Sequence, residues 1–148
     1  MKIVNRRIIE AVKGLGLPEG EYAVFGSGLM EVLGIRDSGD VDLIVTKRLF
    51  DELVEREDWE RFVYENNGDE AVKYRGDFVD VAFWDCKYFP GCDEEGILGM
   101  IGRVEVIDGV SFVNLEDMIS WKSGSEREKD RRDVELIRDF IERERQNG

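Results

Sequence analysis

Two aspartates, Asp40 and Asp42, head the apolar run Val41-Asp42-Leu43-Ile44-Val45. Residues two apart on a strand face the same side, so the two carboxylates point together while Val41 turns the other way, toward a core. Like charges held this close repel, and one of them takes up a proton unless a cation lies between them. A divalent ion with oxygen ligands, Mg²⁺ or Mn²⁺, matches that donor pair. Upstream, an expected strand ends at Phe25 and runs into Gly26-Ser27-Gly28, followed by a helix start. Glycines let backbone amides turn toward an anion, and Ser27 adds a hydroxyl, so this turn suits phosphate. Asp80 sits inside Phe78-Val79-Asp80-Val81-Ala82-Phe83, where an acid in so apolar a strand calls for a partner. If that strand neighbours the Val41 strand, three carboxylates converge on one point. Lys122 follows Met118, Ile119 and Trp121, which would pack its stem and aim its ammonium at an anion. Lys129 and Asp133 are four apart and share a helix face.

Each feature also has an ordinary structural reading. A D-x-D pair can simply begin a strand at the surface, and Gly-Ser-Gly can be a plain loop. Asp80 can be solvated on an edge strand, and Lys129 with Asp133 can be an ion pair on a charged helix. The absence of histidine narrows the chemistry further. No Ser-His or Cys-His mechanism is possible, and Cys86 and Cys92 alone cannot make a common zinc site. The two thiols are expected to be free, as in a reducing compartment.

The elements that must hold these residues follow from periodicity. Val4 to Leu15 reads as a surface helix with one apolar stripe, ended by GLGLPEGE. Strands are expected over Tyr22–Phe25, Val41–Val45, 61–65, 71–75 and Asp77–Trp84, with Asn66-Asn67-Gly68-Asp69 as a turn. Helices are expected over Leu29–Leu33, Leu49–Glu57 and Glu94–Ile101, and Asp108-Gly109 marks a hairpin between 104–107 and 110–113. Asn114 caps a helix through Trp121, Ser125 opens a last helix to about Arg143, and the closing RERQNG is expected to fray. Strands and helices without regular alternation indicate an α/β (α+β) fold, a small mixed sheet with helices packed on it.

Bulk properties set the boundaries. The chain has 148 residues, which suits a single domain over 1–148 with a real core. No apolar run approaches the roughly 18 residues of a membrane span, and no signal-peptide pattern opens the chain, so a soluble cytoplasmic protein is expected. The net charge of −13 disfavours a tight sequence-independent grip on long duplex nucleic acid, which needs a basic surface.

Taken together, Gly26-Ser27, the helical turn, Arg36-Asp37-Ser38-Gly39-Asp40-Val41-Asp42 and the later strand carboxylate Asp80 resemble the DNA polymerase β-like nucleotidyltransferase superfamily. The late segment LEDMISWKSGSEREKDRRD is similar to that of the small stand-alone, AbiEii-like members. The resemblance covers about residues 20 to 135. It implies transfer of a nucleoside monophosphate from a nucleoside triphosphate, ATP among them, to an acceptor hydroxyl, with release of pyrophosphate. It further implies that Gly26 and Ser27 hold the triphosphate, and that Asp40 and Asp42 ligate two Mg²⁺ (or Mn²⁺) ions. Asp80 would complete the metal site and draw on the acceptor hydroxyl. Lys122 would neutralise the triphosphate, Arg36 and Ser38 would position phosphates, and Lys129 with Asp133 would lie near the site. The acceptor is left open between a small molecule, a protein side chain and an RNA 3′ end, because no obvious acceptor domain is present. A second expectation is a non-catalytic or regulatory protein on the same fold, such as one half of a toxin–antitoxin pair with a partner protein. A third is an ion-binding module without chemistry.

Overall fold

Apolar runs punctuated by glycine, proline and asparagine become the strands and turns of one mixed sheet. The computed structural model describes residues 2–147. In chain order the elements begin with α1 (Arg7–Lys13), β1 (Tyr22–Phe25), α2 (Gly28–Val32), β2 (Val41–Val45), α3 (Lys47–Val54), β3 (Trp59–Val63) and β4 (Glu70–Tyr74). They continue with β5 (Val79–Phe83), α4 (Glu94–Ile101), β6 (Glu105–Ile107), β7 (Val110–Phe112), α5 (Leu115–Ser123) and α6 (Glu128–Asn147). The seven strands form one sheet in the order β3-β4-β5-β2-β1-β7-β6. Strand β2 lies at its centre, antiparallel to β1 and parallel to β5. Its sequence, apolar except for Asp42, explains that position, since Val41, Leu43, Ile44 and Val45 are all buried. The short β6 and the polar-faced β3 take the edges.

Local chemistry sets the boundaries. Side chains of Thr46, Asp93 and Asn114 accept from Leu49 N, Gly96 N and Asp117 N, starting α3, α4 and α5. Asp108 and Gly109 both take positive φ, 49° and 81°, as a tight hairpin between β6 and β7 requires. Helix α4 packs on β1 and β2, α3 on β3 and β4, α1 on α2 and β7, and α5 on α6.

Several expected ends move. Helix α1 starts at Arg7, not Val4, because the Val4 and Asn5 amides donate to Val32 O instead. The Thr46 cap starts α3 two residues before the expected Leu49. Strand β3 begins at Trp59, whose ring packs 4.9 Å from that of Tyr74 on β4. Helix α6 starts at Glu128 rather than Ser125, whose hydroxyl bonds Asp130 at 2.6 Å and receives Arg127 N. The tail expected to fray is helical through Asn147, with Glu142 contacting Arg145 and Gln146. Cys86 and Cys92 are free, as expected, and both are buried. No helix among the described residues is long and apolar enough to cross a membrane.

Candidate functional site

The site is built where β1, β2 and β5 run side by side. Strand β1 ends at Phe25, paired with Asp42 on β2, and the chain turns immediately at Gly26. Gly26 has φ +80°, a left-handed conformation that glycine adopts without strain. Gly28 matters for another reason: an added Cβ would stand 2.5 Å from Val24 Cγ1, so only glycine lets α2 press onto β1. The Ser27 hydroxyl makes no cap bond to α2; it bonds the Ser38 hydroxyl at 2.8 Å and so ties the turn to the loop before Asp40.

That loop is clamped by a pair the sequence reading passed over. Glu31 is buried within α2, and Arg7 bonds both its carboxylate oxygens at 2.8 Å. Glu31 also accepts Ser38 N at 2.9 Å, while Arg7 reaches Ser38 O and Gly39 O. The Arg7 bonds, opposed by burial, hold the Glu31 carboxyl below its usual pKa. The signal was present in Leu29-Met30-Glu31-Val32-Leu33, an acid in an otherwise apolar turn.

Across the sheet, Val41 pairs with Val79 but Leu43 pairs with Ala82, so β5 carries one extra residue opposite Asp42. Such a bulge re-aims side chains and leaves backbone groups free of the ladder. Both effects appear here. Asp80 lines the same cleft as Asp42, and the Val81 backbone favours the ionised form of the Asp42 carboxyl. Burial, then the charge of Asp80, and less so that of Asp40, push the Asp42 carboxyl up to about 7. The strain of Phe78, at φ +72°, falls just before the bulge.

Arg36, Lys122 and the start of α6 meet beside these acids. Arg36 forms a bidentate pair with Asp133, both contacts at 2.7 Å. Lys122 is buried, with Nζ 2.8 Å from Asp133 and 3.4 Å from Asp130. Burial alone would raise the Asp133 carboxyl, yet the bonds from Arg36 and Lys122 outweigh it and hold it below the ordinary value. The anions at which Lys122 is aimed are therefore the protein's own carboxylates. The expected pairing of Lys129 with Asp133 does not form, because Arg36 and Lys122 occupy Asp133; Lys129 is exposed and has no ion pair among the described residues.

A cleft of about 290 Å³ collects Gly26, Ser27, Arg36, Asp40, Asp42, Asp80, Lys122 and Lys129. Ser38 is not on its wall and acts through Ser27. The wall also includes Arg127 and Phe89, which the sequence did not single out, and Trp121, expected only to pack the Lys122 stem. Phe25, Phe89 and Trp121 form one aromatic cluster, with Phe25 stacked on Trp121 at 4.5 Å. Arg127 lies 5.6 Å over the Phe89 ring and within 3.5 Å of Asp130, and its charge lowers the Asp42 carboxyl.

The three carboxylates meet in one cleft but not at one point. Asp42 and Asp80 are half-buried and Asp40 is exposed. No three Asp, Glu or Cys side chains among the described residues gather tightly enough to hold an ion alone. None of the three has an ion pair among the described residues, and the donor set they offer is all hard oxygen. Mg²⁺ is commonly held by one or two carboxylates with water and phosphate oxygens completing its shell, and an open carboxylate cleft suits that mode. A second cavity of about 280 Å³ shares Asp42 with the cleft and is walled by the turn between β3 and β4 and by the loop after β5. The Tyr64 phenol lines it, with its pKa raised by burial and by the charges of Asp42 and Asp80.

Neither family models nor curated proteins nor solved structures give a match to this chain.

Proposed function

We propose that the protein is a nucleotidyltransferase that moves a nucleoside monophosphate from a nucleoside triphosphate to an acceptor hydroxyl and releases pyrophosphate. One observation carries the reading. A single cleft collects the glycine-serine turn, three carboxylates without ion pairs and a cationic rim, although these residues are scattered from 26 to 129 in the chain. Gly26 and Ser27 receive the phosphates at the end of β1. Lys129 and Arg127, at the exposed start of α6, meet the negative charge of the triphosphate. Arg36 and Lys122 act one step back, since both are committed to Asp133: Arg36 fixes α6 to the loop before Asp40, and Lys122 fixes it to α5.

Asp40, Asp42 and Asp80 would hold Mg²⁺ or Mn²⁺, and a bound pair of ions supplies stabilisation of the entering and leaving oxygens of an in-line displacement. Asp80, beside Asp42 across the bulge, accepts the proton of the acceptor hydroxyl. The aromatic cluster of Phe25, Phe89 and Trp121 supplies a rigid apolar floor that limits water.

Transfer of label from an α-phosphate-labelled nucleoside triphosphate in the presence of Mg²⁺ tests the reading. Three acceptor pools serve: small molecules, protein and RNA. Labelled product is expected with wild type, and Asp80→Asn is expected to bind nucleotide while losing transfer by several orders of magnitude. Equal transfer in Asp80→Asn, or nucleotide binding unaffected by mutation of the cleft, would remove the cleft from the function. Co-purification of a partner protein with no nucleotide binding would favour a regulatory role on this fold.

A further inference from the structure

The second cavity shares Asp42 and Phe89 with the proposed nucleotide cleft and differs from it in charge. The cleft carries Arg36, Lys122, Arg127 and Lys129; none of the cavity's lining residues is basic. Its walls are aromatic and apolar, with Tyr64, Phe83, Tyr88 and Phe89 around Val81. Tyr64 and Tyr88 are 42% and 59% exposed, so both rings stand at the mouth.

Asp69 lies in this cavity and is only 6% exposed. Buried charges are ordinarily paired, because an unpaired one costs several kcal/mol of solvation. The other buried charged side chains among the described residues follow that rule: Glu31 pairs with Arg7, and Lys122 pairs with Asp130 and Asp133. Asp69 has no ion pair among the described residues and accepts one backbone bond, from Lys87 N at 2.9 Å. The neighbouring Glu70 is already matched by Arg61.

We infer that this cavity is the acceptor subsite, and that the acceptor is a small cationic ring compound bearing a hydroxyl. The inference rests on the proposed nucleotidyl transfer. The ring packs among Tyr64, Phe83, Tyr88 and Phe89, its cation supplies the partner that Asp69 lacks, and its hydroxyl points at Asp42, where cavity and cleft meet. At about 280 Å³ the cavity falls just below the usual range of ligand sites, about 300–1,000 Å³, and suits a small molecule of one or two rings. Its acidic lining opposes an RNA end. Transfer then proceeds beside Asp42. The acceptor oxygen bonds the α-phosphorus of the nucleoside triphosphate, and the bridging bond to the β-phosphate breaks. Pyrophosphate leaves with the electron pair, and the hydroxyl proton passes to Asp80.

Tyramine and 4-hydroxyphenylacetate make a matched probe pair, with the same ring and hydroxyl and opposite charge. Titrated into the full-length protein and followed by amide NMR shifts, tyramine is expected to perturb residues 64–70 and 81–89 and to bind at least tenfold more tightly than the acid. Asp69→Asn keeps the acceptor for Lys87 N and removes the charge; it should weaken tyramine about tenfold. Asn66→Trp, on the exposed turn, should block the cavity. Both variants should bind ATP with Mg²⁺ as wild type does. Equal binding of the two probes, or tyramine binding untouched by Asp69→Asn, overturns the inference while leaving the nucleotide cleft standing. Tyramine binding with no ATP binding in any protein would instead sink the proposed transfer and the acceptor role with it.

Discussion

Asp42 shows how much a single position can carry. Its carboxyl is raised from 3.8 to about 7 by burial and by Asp80 and Asp40. The unfolded chain therefore ionises Asp42 first, and folding holds the proton. The sign follows: stability contributed by this group is intact below about pH 4, falls as pH rises toward about 7, and stays lower above it. Asp42→Asn should flatten that slope, raising Tm relative to wild type at about pH 8 and changing it little at about pH 4. Mg²⁺ should raise the wild-type Tm at about pH 8 and do so less in the variant; parallel pH profiles with and without the ion would contradict this. Lysines at the cleft separate in the same way. Lys122→Met removes one cation from the buried Asp130 and Asp133, which keep Arg127 and Arg36, a change expected to cost about 3 kcal/mol in denaturant unfolding. Lys129→Met, exposed and without an ion pair among the described residues, should leave Tm unchanged and weaken nucleotide binding severalfold. Asp40, Asp42 and Asp80 were legible from the sequence because acids at the head or middle of apolar strands are conspicuous. The partners of Lys122 were not, because Asp133 is drawn to Arg36 across 97 residues of chain, a contact no local spacing encodes.

At the scale of elements, β1, β2 and α4 follow their sequence signals to the residue, since each is an apolar run closed by a glycine, a turn or a cap. The bulge in β5 was hidden. It depends on how β5 registers against β2, and only that pairing moves Asp80 beside Asp42. The period of two that a regular strand would keep from Phe78 to Phe83 therefore breaks where it matters most. The two glycines after β1 should also behave differently. Gly26→Ala meets no atom within 4 Å but must hold φ +80°, a strain of about 1–2 kcal/mol. Gly28→Ala brings a methyl to 2.5 Å from Val24 and should cost about 1–3 kcal/mol as α2 lifts from β1. Thermal unfolding of the two variants distinguishes backbone strain from overpacking, since crowding at Gly28 should be relieved by a second change, Val24→Ala, and strain at Gly26 should not. An unrelieved Gly28→Ala would mean that α2 does not rest on Val24.

Over the whole molecule, a net charge of −13 is compatible with anion binding only if cations are concentrated locally. In the cleft they are: Arg36, Lys122, Arg127 and Lys129 stand against Asp40, Asp42, Asp80 and Asp130, while the adjoining cavity is lined by acids with no basic residue. The same balance predicts no nanomolar affinity for arbitrary duplex DNA at physiological salt, which a gel shift checks directly. Fold class was legible in the sequence from its mixture of strand and helix periods, whereas this partition of charge between two cavities required the folded chain. The central claim, that the cleft beside Asp42 is where a nucleotide binds, is tested most directly by an amide NMR titration with a non-hydrolysable nucleoside triphosphate analogue and Mg²⁺. Shifts centred on Gly26–Gly28, Asp40–Asp42, Asp80 and Arg127–Lys129, dependent on the metal and lost in Asp42→Asn, are the expected result. No saturable shifts at those residues, or shifts of equal size in Asp42→Asn, would contradict it.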